Sequence, residues 1–215
     1  YLVTRREVDA KRIGCTGQSG GATMTMYLAA LEPRIASAVV NEGNTENIAG
    51  PRYDPPGALD DAEQDIVGLL PWRLDRGDIL AAAAPRPLLI VYTTHDRGEV
   101  YSPVYDVATQ EVYREAAQVY GLLGVQDRIQ LMASHLPHGM VYTSRDHTCR
   151  WFNRWLKGED GPVTEGPFKP FPDAMLNATT TGQVSTSVAG RSSVQVDRDR
   201  LAQLMQSRRA QRPET

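Results

Sequence analysis

Apolar positions along this chain fall into short runs separated by helical stretches, and that alternation sets the expected architecture. The run Arg12-Ile13-Gly14-Cys15-Thr16 reads as a strand. From Ala22 to Leu31 nearly every position is apolar, which predicts a buried helix stopped by Glu32-Pro33. Ile35-Ala36-Ser37-Ala38-Val39-Val40 is a continuous apolar run, as expected of a parallel strand buried on both faces. Residues 44–78 show no such pattern and predict a long, proline-containing insertion. A short alanine-rich helix over 79–84 follows, then the strand Leu88-Leu89-Ile90-Val91-Tyr92. Residues 104–123 predict an amphipathic helix ended by Gly124, residues 128–132 a fourth strand, and residues 143–157 a helix with His147, Trp151 and Trp155 on one face. Residues 1–10 read as the end of a further helix. The order predicts an α/β fold with a parallel, doubly wound sheet.

After Gly158 the pattern changes. Residues 159–180 are rich in Pro, Gly and charge and read as a linker, while 181–215 read as an appendage. There, 181–197 predict a β-hairpin around Ala189-Gly190-Arg191, and Leu201, Leu204 and Met205 a short helix. Composition adds exclusions. In 215 residues, 41% are hydrophobic, and the net charge is −3. Neither a basic footprint for nucleic acid nor an apolar run long enough to span a membrane is present. The two cysteines, Cys15 and Cys149, lack the company a metal site needs. No cofactor is implied.

The chemistry concentrates in Gly17-Gln18-Ser19-Gly20-Gly21, between a strand and a helix. It fits G-x-S-x-G, the nucleophile elbow of α/β-hydrolases. In that turn the serine backbone is strained and its hydroxyl stands above the sheet edge, with glycines expected where a Cβ would collide. A serine hydroxyl needs a base, and the base an acid, in the chain order Ser, acid, His. His138, in the loop after the last strand, is the expected base, with His135 the alternative. Asp96, following strand 88–92, is the expected acid; Glu42, at the end of the preceding strand, is its rival. The Gly20 N–H is expected to donate one oxyanion hydrogen bond, with the second donor upstream of Tyr1. The chain opens shortly before a strand that belongs mid-sheet. The reading is therefore the C-terminal half of a hydrolase domain over 1–158, with its N-terminal half as a missing partner. The insertion near 44–78 is expected to act as a lid or pocket wall, and its acidic run 60–65 either to meet a polyhydroxylated or cationic substrate or to be a solvated helix start.

Beyond the elbow, Arg5-Arg6-Glu7-Val8-Asp9, Asp61-Ala62-Glu63-Gln64, Ala84-Pro85-Arg86-Pro87-Leu88, His138-Gly139 and Arg150-Trp151-Phe152-Asn153-Arg154-Trp155-Leu156 resemble bacterial acetyl-xylan-esterase-like α/β-hydrolases, relatives of dienelactone hydrolase and prolyl oligopeptidase. The resemblance covers roughly residues 1–158 and carries over Ser19, Asp96 and His138. It departs after Asp96, where Arg97-Gly98-Glu99 replace the family's bulky apolar residues. It implies a serine-dependent esterase acting on short acyl groups of carbohydrate, and an exported protein. A prolyl-oligopeptidase-like peptidase and a non-catalytic half of a larger assembly stand as alternatives.

Overall fold

The computed structural model describes residues 1–49, 61, 64–95 and 105–210. The chain divides into two compact units, Tyr1–Glu165 and Gly166–Thr215. The first holds strands β1 (Ile13–Gln18), β2 (Ile35–Asn41), β3 (Leu88–Thr93) and β4 (Ile129–Ser134). They form one parallel sheet in the order β1-β2-β3-β4. Helices α1 (Gly20–Leu31), α2 (Arg76–Ala81) and α3 (Tyr105–Leu122) connect them, and α4 (Tyr142–Phe152) follows β4, continuing as a π-helical turn over Asn153–Lys157.

The apolar strands are continuous because both faces are covered, and alternate residues go to opposite sides. Ala38, Val40, Leu88 and Ile90 pack with Ala22, Met26 and Ala29 of α1, Leu80 of α2, and Val112, Ala116 and Tyr120 of α3. Val39, Leu89 and Val91 pack on the other face against Trp151 of α4. The α1 C-terminus is closed by Arg86, whose guanidinium donates to the carbonyls of Ala29 and Glu32. Tyr120 is fully buried and donates its hydroxyl to the Arg86 carbonyl at 2.7 Å. Within the described sheet β1 has a neighbour on one side only, and Gly14 and Thr16 are exposed.

Four local expectations change. Residues 1–10 hold a 3-10 turn, Leu2–Thr4, and bends rather than a helix end. Helix α2 starts at Arg76, before the alanine run, because Asp75 and Asp78 form a reciprocal capping box. The acidic run has structural partners where it is described: Asp65 binds the fully buried Arg76 at 2.6 Å, and Asp61 accepts from Asn44 and Gln64. Finally, the β-hairpin expected over 181–197 is absent. Among the described residues of the second unit the regular elements are helices: α5 (Asp173–Leu176), α6 (Val184–Ser187) and α7 (Ser193–Ala210). A two-stranded ribbon without a sheet to join is marginal in water. Here the polar side chains bond locally instead: Thr181 Oγ1 engages Gln183 O and the Thr186 hydroxyl, and Ser192 and Gln195 cap α7 reciprocally at 2.7 and 3.3 Å.

Candidate active site

A parallel sheet brings the C-terminal ends of its strands to one edge, which gathers the residues following β1, β2 and β4. Ser19 follows β1 with φ 59 and ψ −126, a conformation that costs a non-glycine residue about 1–3 kcal/mol. It is held there from both sides. The Ser19 N–H donates to Asn41 O at 3.1 Å, and the Ser19 carbonyl accepts from Ala22 and Thr23 as the start of α1. Ser19 occupies the N-cap position, yet its side chain makes no capping hydrogen bond. The hydroxyl is thereby left for other chemistry. The Gly20 N–H, in the first turn of α1, belongs to the helix-terminal donors that have no intrahelical acceptor.

The flanking glycines are not equivalent. A Cβ on Gly17 would fall 2.3 Å from the Gly21 carbonyl oxygen, so Gly17 lets the helix start cross the strand. Gly21 is exposed, and a Cβ there would meet no described atom within 4 Å. The collision expected at both positions thus exists at one.

Glu42 follows β2 with φ 53 and is fully buried. The next residue, Gly43, lies so close to α1 that a Cβ would sit 2.8 Å from Ala22 Cβ. This squeezed turn aims the Glu42 carboxylate across the strand ends: Oε2 accepts from Gly139 N at 2.7 Å and lies 3.5 Å from His138 Nδ1. His138 is about one-fifth exposed, and its Nε2 lies 2.7 Å from the amide nitrogen of Gln18. The loop carrying His138 is braced on both sides. Thr93 Oγ1 donates to Leu136 O, and Arg145 donates to Met140 O at 2.5 Å. Arg145 in turn pairs with Glu165 at 2.6 Å, holding that carboxyl below the usual carboxylate range.

Of the other sequence candidates, His135 is engaged elsewhere: its Nδ1 lies 3.0 Å from Thr94 Oγ1, which also contacts His95 Nδ1 at 3.1 Å. His147 lines a cleft with Trp151, Arg150 and Gln130. Asp96, the expected acid, lies outside the described residues. Gln18 escaped the sequence reading. The usable signal was a long amide at a strand end beside the nucleophile, a position the motif writes as "x". Among the described residues no group of three or more His, Cys, Asp or Glu could hold a metal ion, and no helix is long and apolar enough to cross a membrane.

No family model matches the chain. It is 27% identical over 159 residues to YtaP of Bacillus subtilis (strain 168), a protein assigned to the hydrolases by name only; the match covers 73% of this chain and 50% of that one. Among solved structures it is similar to a carbohydrate esterase family 15 glucuronoyl esterase from Caldicellulosiruptor kristjansonii, with TM-score 0.55 and 20% identity, covering 77% of this chain and 50% of the other. The glucuronoyl esterase catalytic domain from Hypocrea jecorina gives TM-score 0.55 at 17% identity over 86% of this chain and 52% of that one. A glucuronoyl esterase variant from Sporotrichum thermophile, solved with methyl 4-O-methyl-beta-D-glucopyranuronate, gives 0.54 at 20% identity, covering 72% and 46%. The fold is that of the α/β-hydrolases. The chain spans about half the length of these relatives.

Proposed function

We infer that this chain carries the nucleophile, base and acid of a serine hydrolase that cleaves carboxylic esters of carbohydrates. The observation that carries the reading is the strained Ser19 turn, whose hydroxyl is not spent on capping, at the same sheet edge as the buried Glu42 and the half-buried His138. Ser19 Oγ attacks the ester carbonyl while His138 Nε2 takes its proton. Glu42, 3.5 Å from Nδ1, stabilises the imidazolium that forms; Asp96 is the alternative acid. The Gly20 N–H donates one hydrogen bond to the oxyanion, and an oxyanion hole of this kind takes a second donor. His138 returns its proton to the leaving alcohol, and water releases the acyl group by the same steps.

The acetyl-xylan-esterase resemblance favours a short acyl group on a sugar hydroxyl. The compound bound to one structural neighbour, a glucuronoyl esterase variant, is instead an ester of a sugar acid. Both are carbohydrate esters and differ in which side of the bond the sugar occupies. Labelling with a fluorophosphonate, followed by peptide mapping, is expected to place the adduct on Ser19 alone; an adduct elsewhere with Ser19 unmodified refutes the reading. Relative turnover of an acetylated sugar, a methyl glucuronate and a proline-containing amide then assigns the substrate, with the amide expected to be inert.

A further inference from the structure

The hydrolase reading leaves one side chain of the site without a role. Gln18 closes β1 and pairs in register with Asn41, the residue before Glu42, so it leaves the sheet edge beside that carboxylate. Its Nε2 lies 3.4 Å from Glu42 Oε2 and 2.7 Å from His138 Nε2. The carboxylate decides which way round the amide stands, because a carboxylate oxygen accepts from N–H and repels C=O. An amide NH2 has two hydrogens, one for each neighbour. It can only donate, so His138 Nε2 must accept and the ring proton must stand on Nδ1, which lies 3.5 Å from Glu42 Oε2. Gln18 Nε2 and Glu42 Oε2 are too close to each other to stand on opposite sides of the ring, so the shorter Gln18 contact is the one that selects the tautomer.

Resting on the reading of Ser19, His138 and Glu42 as catalytic, we propose that Gln18 is a positioning residue: its side-chain amide locks His138 as the Nδ1–H tautomer and holds the Nε2 lone pair in place for the Ser19 proton. A lone imidazole exchanges between tautomers, and a ring protonated on Nε2 cannot act as the base. On attack, the Gln18 N–H···Nε2 hydrogen bond breaks and the serine O–H replaces it. The proton passes to Nε2 as Oγ bonds to the carbonyl carbon, and the resulting imidazolium lies beside the Glu42 carboxylate, which offsets its charge. The Gln18 amide remains bonded to Glu42 throughout and is ready to recapture Nε2 once the proton leaves with the alcohol.

Imidazole nitrogen NMR of the histidine-labelled intact chain, at mildly alkaline pH, reads the tautomer directly. The His138 signals are assigned by their loss in His138→Asn. In the wild type Nδ1 is expected to carry the proton and Nε2 none. Gln18→Leu, of similar size but unable to donate, is expected to give mixed tautomers, with kcat on an ester lowered about tenfold, the weight of one hydrogen bond, and KM within about twofold. Gln18→Asn, one methylene shorter, should do the same. A wild-type ring protonated on Nε2 overturns the proposal by itself, even if no variant folds. So does a folded Gln18→Leu that keeps both the tautomer and kcat. A Gln18-dependent Nδ1–H tautomer in a chain whose Ser19 resists fluorophosphonate would leave the clamp standing and remove the hydrolase reading instead.

Discussion

Alanine at Gly17 and alanine at Gly21 should have opposite effects, although the motif treats both positions alike. The Cβ built on Gly17 lies 2.3 Å from the Gly21 carbonyl oxygen and 2.4 Å from its carbonyl carbon. Comfortable contact needs about 3.5 Å, so the start of α1 would have to retreat by about 1 Å. No flexible side chain can absorb this, since both atoms are helix backbone. Ala22 and Met26, next along α1, are at most 1% exposed, so retreat also opens the core beneath them. Overpacking of this kind costs about 1–3 kcal/mol, and the upper end applies because the backbone itself must move. The same shift displaces Ser19, and a misplacement of about 1 Å can cost about 10²-fold in rate. At Gly21 the added methyl meets open space within the first turn of a helix, where alanine outranks glycine by up to about 1 kcal/mol. Urea unfolding followed by tryptophan fluorescence, with fluorophosphonate labelling of Ser19 as the second readout, measures both effects. The expected result is a loss of about 3 kcal/mol and slow labelling for Gly17→Ala, against unchanged or higher stability for Gly21→Ala. Equal effects of the two, or a Gly17→Ala protein as stable as wild type, would refute the packing argument.

Two further outcomes are expected. Glu42→Gln should lower ester turnover by an amount on the order of 10⁴, as loss of the ring-orienting carboxylate does in a serine protease, with Asp96→Asn much milder; the reverse ranking, measured on the same ester, would move the acid to Asp96. Tyr120 gives a pH signature: burial raises its phenol above the ordinary 10.0, so its contribution to stability is complete below that pH and is lost as pH climbs towards the raised value in the folded state. Tyr120→Phe should cost about 1 kcal/mol near neutral pH, where it leaves the Arg86 carbonyl without its donor, and the deficit in urea midpoint should shrink above about pH 10; a deficit constant to about pH 11 would contradict this.

Local pattern carried much of the fold. The four strands, the helices after β1, β3 and β4, and the elbow at Ser19 are written in runs of apolar residues and in glycine and proline punctuation, which act within a few residues of themselves. Where the reading failed, the deciding bonds were polar and specific. The 181–197 segment has the Val/Thr/Ser content of strands, but Ser192 and Gln195 close a helix cap there. Helix α2 begins at Arg76, capped by Asp75, rather than with the alanines, for the same reason. In the acidic run, whose residues 60, 62 and 63 lie outside the described residues, Asp65 pairs with the fully buried Arg76.

The sequence by itself determined which residues could act: a serine in an elbow, a histidine after the fourth strand, and two carboxylates after the second and third. Their order along the chain follows from parallel strands that all end at one edge. Among the described residues, only the tertiary structure decided which of them meet. Glu42 reaches His138 because Gly43 is pressed against α1 and turns the carboxylate across the sheet edge, and Gln18 joins them because β1 and β2 stand in register at that point. His135, three residues from His138, is drawn to Thr94. Such contacts depend on backbone direction at single residues and on register between strands distant in sequence, and neither leaves a periodic trace in the chain that a reader of residues could follow.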